Sequence, residues 1–151
     1  MQLDLSLLDY TDRLRIKTDT GGKRYVFGRV RKRWLVLQPE EWVRQLLIHH
    51  LIETAGYPAA TLAVERSLKL PGDLPRRFDL LVHDRQGKPW LLVECKAPEV
   101  EVRQAVFRQA AQYNLTLKVP YLVVTNGRHT YCCAMNHEAE NWSFMSDLPA
   151  Y

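Results

Sequence analysis

The sequence predicts one mixed α/β domain, because short stretches of alternating apolar residues are interrupted twice by stretches with helical spacing. Length agrees: 151 residues suffice for one hydrophobic core, and no linker-like, low-complexity or repeated segment divides them. Apolar residues make up 46% and charged residues 25%, the balance of a soluble globular chain.

The elements follow in order. Arg13-Leu14-Arg15-Ile16-Lys17 alternates, Thr18 to Gly22 reads as a turn, and Tyr25 to Leu37 resumes an extended pattern. Together they predict an N-terminal β-hairpin within residues 1–37, with Arg29, Arg31 and Arg33 on one face. Pro39 suits a first helical turn, and the acids Glu40 and Glu41 favour a helix N-terminus. Val43, Leu46, Leu47, His50 and Leu51 then recur at helical spacing until Gly56-Tyr57-Pro58 stops the run. A strand is expected from Leu62 to Leu70, closed by Pro71-Gly72-Asp73. Two more, Phe78 to His83 and Trp90 to Cys95, are joined by the turn residues from Asp84 to Pro89. Beyond Pro98 a second helix is expected over about Val102 to Leu117, then a strand from Tyr121 to Thr125, a turn at Asn126-Gly127 and a partner strand from Thr130 to Met135.

Composition removes several function classes. No apolar run reaches the length of a membrane span, and the residues after Met1 do not resemble a secretory leader. Three cysteines, two of them adjacent, make no disulfide framework, so the simplest location is the cytoplasm. Net charge is +4 and unevenly spread, with nine Lys or Arg and one acid (Asp19) between Arg13 and Arg33. Such a basic end suits a polyanion such as nucleic acid, although charged strand edges also simply prevent aggregation. His129 and Cys132 have metal-like spacing without a second pair, which argues against zinc. Cys132 and Cys133 are expected to face inward and outward in turn, and one of His49 and His50 to be buried.

The chemistry concentrates in the central hairpin. A turn centred between Gln86 and Gly87 sets Asp79 directly across from Glu94 on one face, with roughly 5 Å between their Cβ atoms. Lys96 shares that face and Cys95 points away. Two facing carboxylates repel, so removing either is expected to stabilise the metal-free protein, whereas a divalent cation between them resolves the conflict. Hard oxygen ligands suit Mg²⁺ or Mn²⁺, and a nearby lysine can orient a water or neutralise charge on a phosphate.

Arg77-Phe78-Asp79-Leu80-Leu81-Val82 followed by Trp90-Leu91-Leu92-Val93-Glu94-Cys95-Lys96-Ala97-Pro98 resembles the N-terminal nuclease domain of type I restriction enzyme R subunits. Pro39-Glu40-Glu41-Trp42-Val43-Arg44-Gln45 looks like that family's opening helix. Gln109 and Tyr113 match the Gln-x-x-x-Tyr pattern of RecB-type nucleases, and the run Tyr121 to Gly127 is also similar. Phe78 stands where the motif has proline. The resemblance implies a restriction-endonuclease-like PD-(D/E)XK core over residues 38–151, with a four-stranded mixed sheet flanked by helices. It implies a Mg²⁺-dependent DNA endonuclease in which Asp79 and Glu94 are metal ligands and Lys96 is the catalytic lysine. Glu41, or its neighbour Glu40, would be the helix acid assisting the metal, and Gln109 and Tyr113 would hold the site or the DNA backbone. Arg29, Arg31 and Arg33 are further candidates for contacting DNA. Partners implied are DNA and other subunits of a restriction or defence complex; a homodimer would let two sites cut two strands, but nothing in the sequence demands it. No phosphate-binding loop is found in the sequence, so translocation is not carried over. The rival reading is a non-catalytic nucleic-acid-binding or assembly module that keeps the nuclease fold.

Overall fold

The computed structural model describes residues 2–69 and 75–151, so the turn expected at Pro71-Gly72-Asp73 lies outside the described residues. Three short strands, β1 (Ile16–Thr18), β2 (Arg24–Phe27) and β3 (Trp34–Val36), form an antiparallel meander. The expected hairpin therefore has a third strand. Arg29, Arg31 and Arg33 fall in the connection between β2 and β3, not on a strand face. Gly28, at its start, is buried with its amide bonded to Arg33 O at 2.9 Å, and the chain turns there.

Helix α1 (Pro39–Glu53) begins at the expected proline and buries Val43, Leu46, Leu47, Ile48 and Leu51. The second sheet has six strands: β4 (Leu62–Lys69), β5 (Pro75–His83), β6 (Pro89–Cys95), β7 (Tyr121–Thr125), β8 (Thr130–Asn136) and β9 (Asn141–Phe144), in sequential order. Only β6 and β7 are parallel, because helix α2 (Gln104–Leu117) crosses between them. Among the described residues the sheet has six strands where four were expected. The alternation of Asn141-Trp142-Ser143-Phe144 was too short to register as β9, yet it pairs with β8 from Cys133–Phe144 to Asn136–Asn141.

Each face of this sheet has its own core. Leu80, Val82, Leu91, Val93 and Cys95 pack with α1, and Leu81, Leu92, Leu122 and Val124 pack with Phe107 and Ala111 of α2. A sheet covered on both faces explains why Cys132 and Cys133 are both buried, on opposite sides, where one was expected to face outward. His50 is buried at 8% exposure and His49 is half-buried.

The end of β7 is clamped by a polar knot. Asn126 is 3% exposed. Its Oδ1 accepts from the amides of Arg128 (2.9 Å) and His129 (2.7 Å), and its Nδ2 donates to Val100 O (2.9 Å). Gly127 follows at φ +90, with α1's Val43 3.4 Å from where a Cβ would stand. Asn126→Ala is expected to cost about 1–3 kcal/mol for each polar group left buried without a partner, read by urea denaturation against wild type.

Candidate active site

The β5–β6 hairpin has the register the turn dictates: Leu80 pairs with Val93, Leu81 with Leu92 and Val82 with Leu91. The ladder stops there, one rung short of Asp79 and Glu94. On the other side of β5 the pairing runs from Val64–Leu80 directly to Arg66–Phe78, omitting the rung between Glu65 and Asp79. Glu65 adopts φ 52, a left-handed conformation uncommon for a residue other than glycine. Three carboxylates, Glu65, Asp79 and Glu94, thus stand in one row across three strands, and the sheet parts around the middle one. The break coincides with the three acids and with the left-handed Glu65.

Asp79 uses the gap to turn toward β6. Its Oδ2 accepts from the Cys95 amide at 2.7 Å, taking the role a main-chain carbonyl would have in a regular ladder. Its Oδ1 lies 3.6 Å from Arg44 Nη2 on the α1 side, too long for a hydrogen bond. Cys95 packs toward α1, so Glu94 and Lys96 project to the other face, where α2 lies. There Glu94, Lys96, Val106, Gln109, Ala110 and Val124 line a small cleft of about 150 Å³. Asp79 and Glu94 therefore flank the Cys95 peptide and do not face each other on a shared surface, as the unbroken pairing required. Asp79 is also tied to Cys95 and Arg44, so the stability gain expected from removing it is withdrawn.

Arg44 and Glu65 are the members that sequence reasoning missed. Arg44 is 5% exposed, with Nη1 3.5 Å from Glu41 Oε1 and 3.2 Å from Glu65 Oε1. Burial alone lowers the guanidinium's pKa, but Glu41 first, then Asp79, Cys95 and Glu65, outweigh it and raise it, so Arg44 stays charged. Glu41 is buried and also accepts from Gln45 Nε2 at 3.1 Å, while Glu40 is exposed. The structure thus places Glu41, not Glu40, in the cluster. The available signal was Arg44, three residues after Glu41 on one helical face, where a buried arginine requires carboxylates.

Glu65 also pairs with Arg31 at 2.5 Å. Burial raises its carboxyl pKa, but Arg31 and then Arg44 prevail and hold it at about 2, against 4.5 for an unperturbed glutamate. The folded value lies below the unfolded one, so the interaction stabilises above pH 4.5 and is lost as pH falls from 4.5 toward 2. Glu65→Gln is expected to flatten that acid limb of the stability curve, measured as urea midpoints across this range.

The Cys95 thiol is pushed well up, by burial first and then by Asp79 and, more weakly, by Glu94 and Glu41, against Arg44. No group of three or more His, Cys, Asp or Glu among the described residues is arranged to hold a metal. Asp79 and Glu94, on either side of the Cys95 peptide, are hard oxygen donors of the chemistry that Mg²⁺ or Mn²⁺ takes, with few protein ligands and retained waters. Asp79 would serve through Oδ1, which among the described residues is engaged at 3.6 Å by Arg44 Nη2.

The remaining candidates are placed unevenly. Gln109, on α2, lines the cleft beside Glu94 and Lys96. Tyr113, one turn on, is 38% exposed and outside that lining. Arg29 pairs with Glu53 at 3.1 Å and meets His49 Nδ1 at 2.9 Å, Arg31 serves Glu65, and Arg33 is exposed.

The family model for the type I restriction enzyme R protein N terminus matches residues 39–149. A fragment structure of a protein assigned as the HsdR subunit of a type I restriction enzyme from Vibrio vulnificus YJ016 superposes with a TM-score of 0.50 at 17% identity. The match covers 75% of this chain and 24% of that one, and shows a shared fold. No curated protein matches.

Proposed function

The chain belongs to the type I restriction enzyme R protein N-terminal family, and from that premise we propose that it is a restriction-system module with a PD-(D/E)XK core that hydrolyses DNA phosphodiesters with Mg²⁺ or Mn²⁺. The observation that carries the reading is the parted sheet: Asp79 and Glu94 flank one peptide where β5 and β6 separate, with Lys96 two residues on. Strand alternation alone would not open a sheet at three acids in a row.

Asp79 and Glu94 would hold the metal, which when bound supplies Lewis-acid polarisation of a phosphoryl oxygen and an acidified water. Asp79 is aimed by the Cys95 amide, and Glu41 reaches the same cluster through Arg44. Lys96 is fixed through its own amide, which donates to Thr125 O at 2.8 Å, and its ammonium is exposed to the cleft shared with Gln109. There it orients the attacking water or neutralises charge developing on the phosphate. Gln109 steadies Lys96 or the DNA backbone, with Tyr113 at the rim of the same helix face. Other subunits of a restriction complex are the partners this reading implies.

The test is incubation of the purified protein with plasmid and with single-stranded DNA, with Mg²⁺, with Mn²⁺ and with EDTA. Cleavage in either metal that EDTA stops supports the reading. Salt-dependent DNA binding with no cleavage under any condition would replace it with the non-catalytic module.

A further inference from the structure

The outward face of the N-terminal meander combines exposed cations with aromatic rings. Register puts Lys17 opposite Tyr25 and Phe27 opposite Trp34, and the Phe27 amide donates to Arg15 O at 2.9 Å, so these five side chains share one face. Val26 points the other way and is fully buried. Phe27 and Trp34 meet edge-to-face with centroids 5.3 Å apart. The Arg15 guanidinium stands 4.6 Å over the Phe27 ring, and Lys17 Nζ stands 4.5 Å over Trp34.

Two sets can be told apart among the basic residues of this region. Arg13, Arg29 and Arg31 are committed to the carboxylates of Glu53 and Glu65. Arg15 and Lys17 are exposed and, among the described residues, paired with no carboxylate. They rest on π faces instead, the arrangement that bases and phosphates exchange into.

We propose that this face is a binding platform for single-stranded DNA, in which Tyr25, Phe27 and Trp34 stack unpaired bases while Arg15 and Lys17 take the phosphates. A duplex hides its base faces, so rings on a flat sheet reward an unpaired strand. The meander also borders the strand end that carries Lys96. Ile16 and Arg24 share a cleft of about 310 Å³ with Pro98 and Glu99, which follow Lys96 closely in the chain. Ile16 and Arg24 alternate with the platform residues and so lie on the other face of the meander, and binding on the platform requires neither metal nor cleavage.

The experiment is fluorescence anisotropy in EDTA with labelled oligo-dT of about 12 nucleotides, a blunt duplex of equal length, and a base-free deoxyribose-phosphate oligomer. EDTA separates this proposal from the catalytic one, since either can fail alone. Wild type is expected to bind oligo-dT at least about 10-fold more tightly than the duplex or the base-free oligomer. Arg15→Glu with Lys17→Glu is expected to weaken binding by more than about 10-fold and to reduce the log–log salt slope by about 1.4. Both positions are exposed, so this variant keeps the test valid if Trp34→Leu fails to fold. Trp34→Leu, folded by circular dichroism, is expected to lose about 10-fold with the salt slope unchanged. Equal binding of the base-free oligomer, a preference for duplex, or an unaltered double charge reversal would each overturn the platform.

Discussion

Lys96→Ala is expected to lower metal-dependent DNA cleavage by about 10³-fold while leaving the thermal midpoint within about a degree of wild type. The two expectations rest on different atoms of one residue. The Lys96 amide donates to Thr125 O, which fixes the end of β6, and alanine keeps that bond. Its ammonium makes no hydrogen bond or ion pair among the described residues, so its loss strands no buried partner. A charged group in a cleft beside a carboxylate is therefore expected to have its main effect on the reaction. Lys96→Arg should recover only part of the activity, because a planar, delocalised guanidinium is not a compact ammonium. A Lys96→Ala protein that cleaves as wild type does would remove the lysine from the mechanism.

Arg44→Met is expected to be the most destabilising single change in the site, by about 3–5 kcal/mol, the scale on which breaking a buried charge cluster acts. Arg44 is almost fully enclosed and is the cation that Glu41, Glu65 and Asp79 share. Its removal takes the shared cation from three carboxylates, while Arg31 stays paired with Glu65. The variant should therefore unfold at lower urea than wild type at neutral pH. Asp79→Asn in the Arg44→Met background should restore part of the loss, because it removes one of the stranded charges and keeps an oxygen for the Cys95 amide. Strict additivity of the two changes would show that Arg44 and Asp79 do not interact.

Strand and helix positions were legible from period and punctuation. Pro39 and the two acids after it marked α1, Asp84 to Pro89 marked the hairpin, and Asn126-Gly127 marked the turn after β7. The hairpin register followed from the turn, because side-chain period ties pairing to the apolar pattern. What could not be read was the break in that register. Alternation assumes continuous pairing, and the left-handed Glu65 and the missing rungs around Asp79 interrupt it at acids of three strands, one of them distant in sequence. Arg44 was hidden for a similar reason: within α1 it reads as a solvated helical charge, and only the tertiary arrangement of Glu65 and Asp79 makes it internal. The loop arginines went astray because an extended pattern from Tyr25 to Leu37 conceals the turn at Gly28.

The central claim is that the parted strands form a metal site, and isothermal titration of Mg²⁺ and Mn²⁺ into wild type and Glu94→Ala tests it most directly. Wild type is expected to bind Mn²⁺ with one-to-one stoichiometry, and Glu94→Ala to lose that heat while keeping its fold by circular dichroism. Wild type that binds neither metal, or Glu94→Ala that binds as wild type does, would contradict the account.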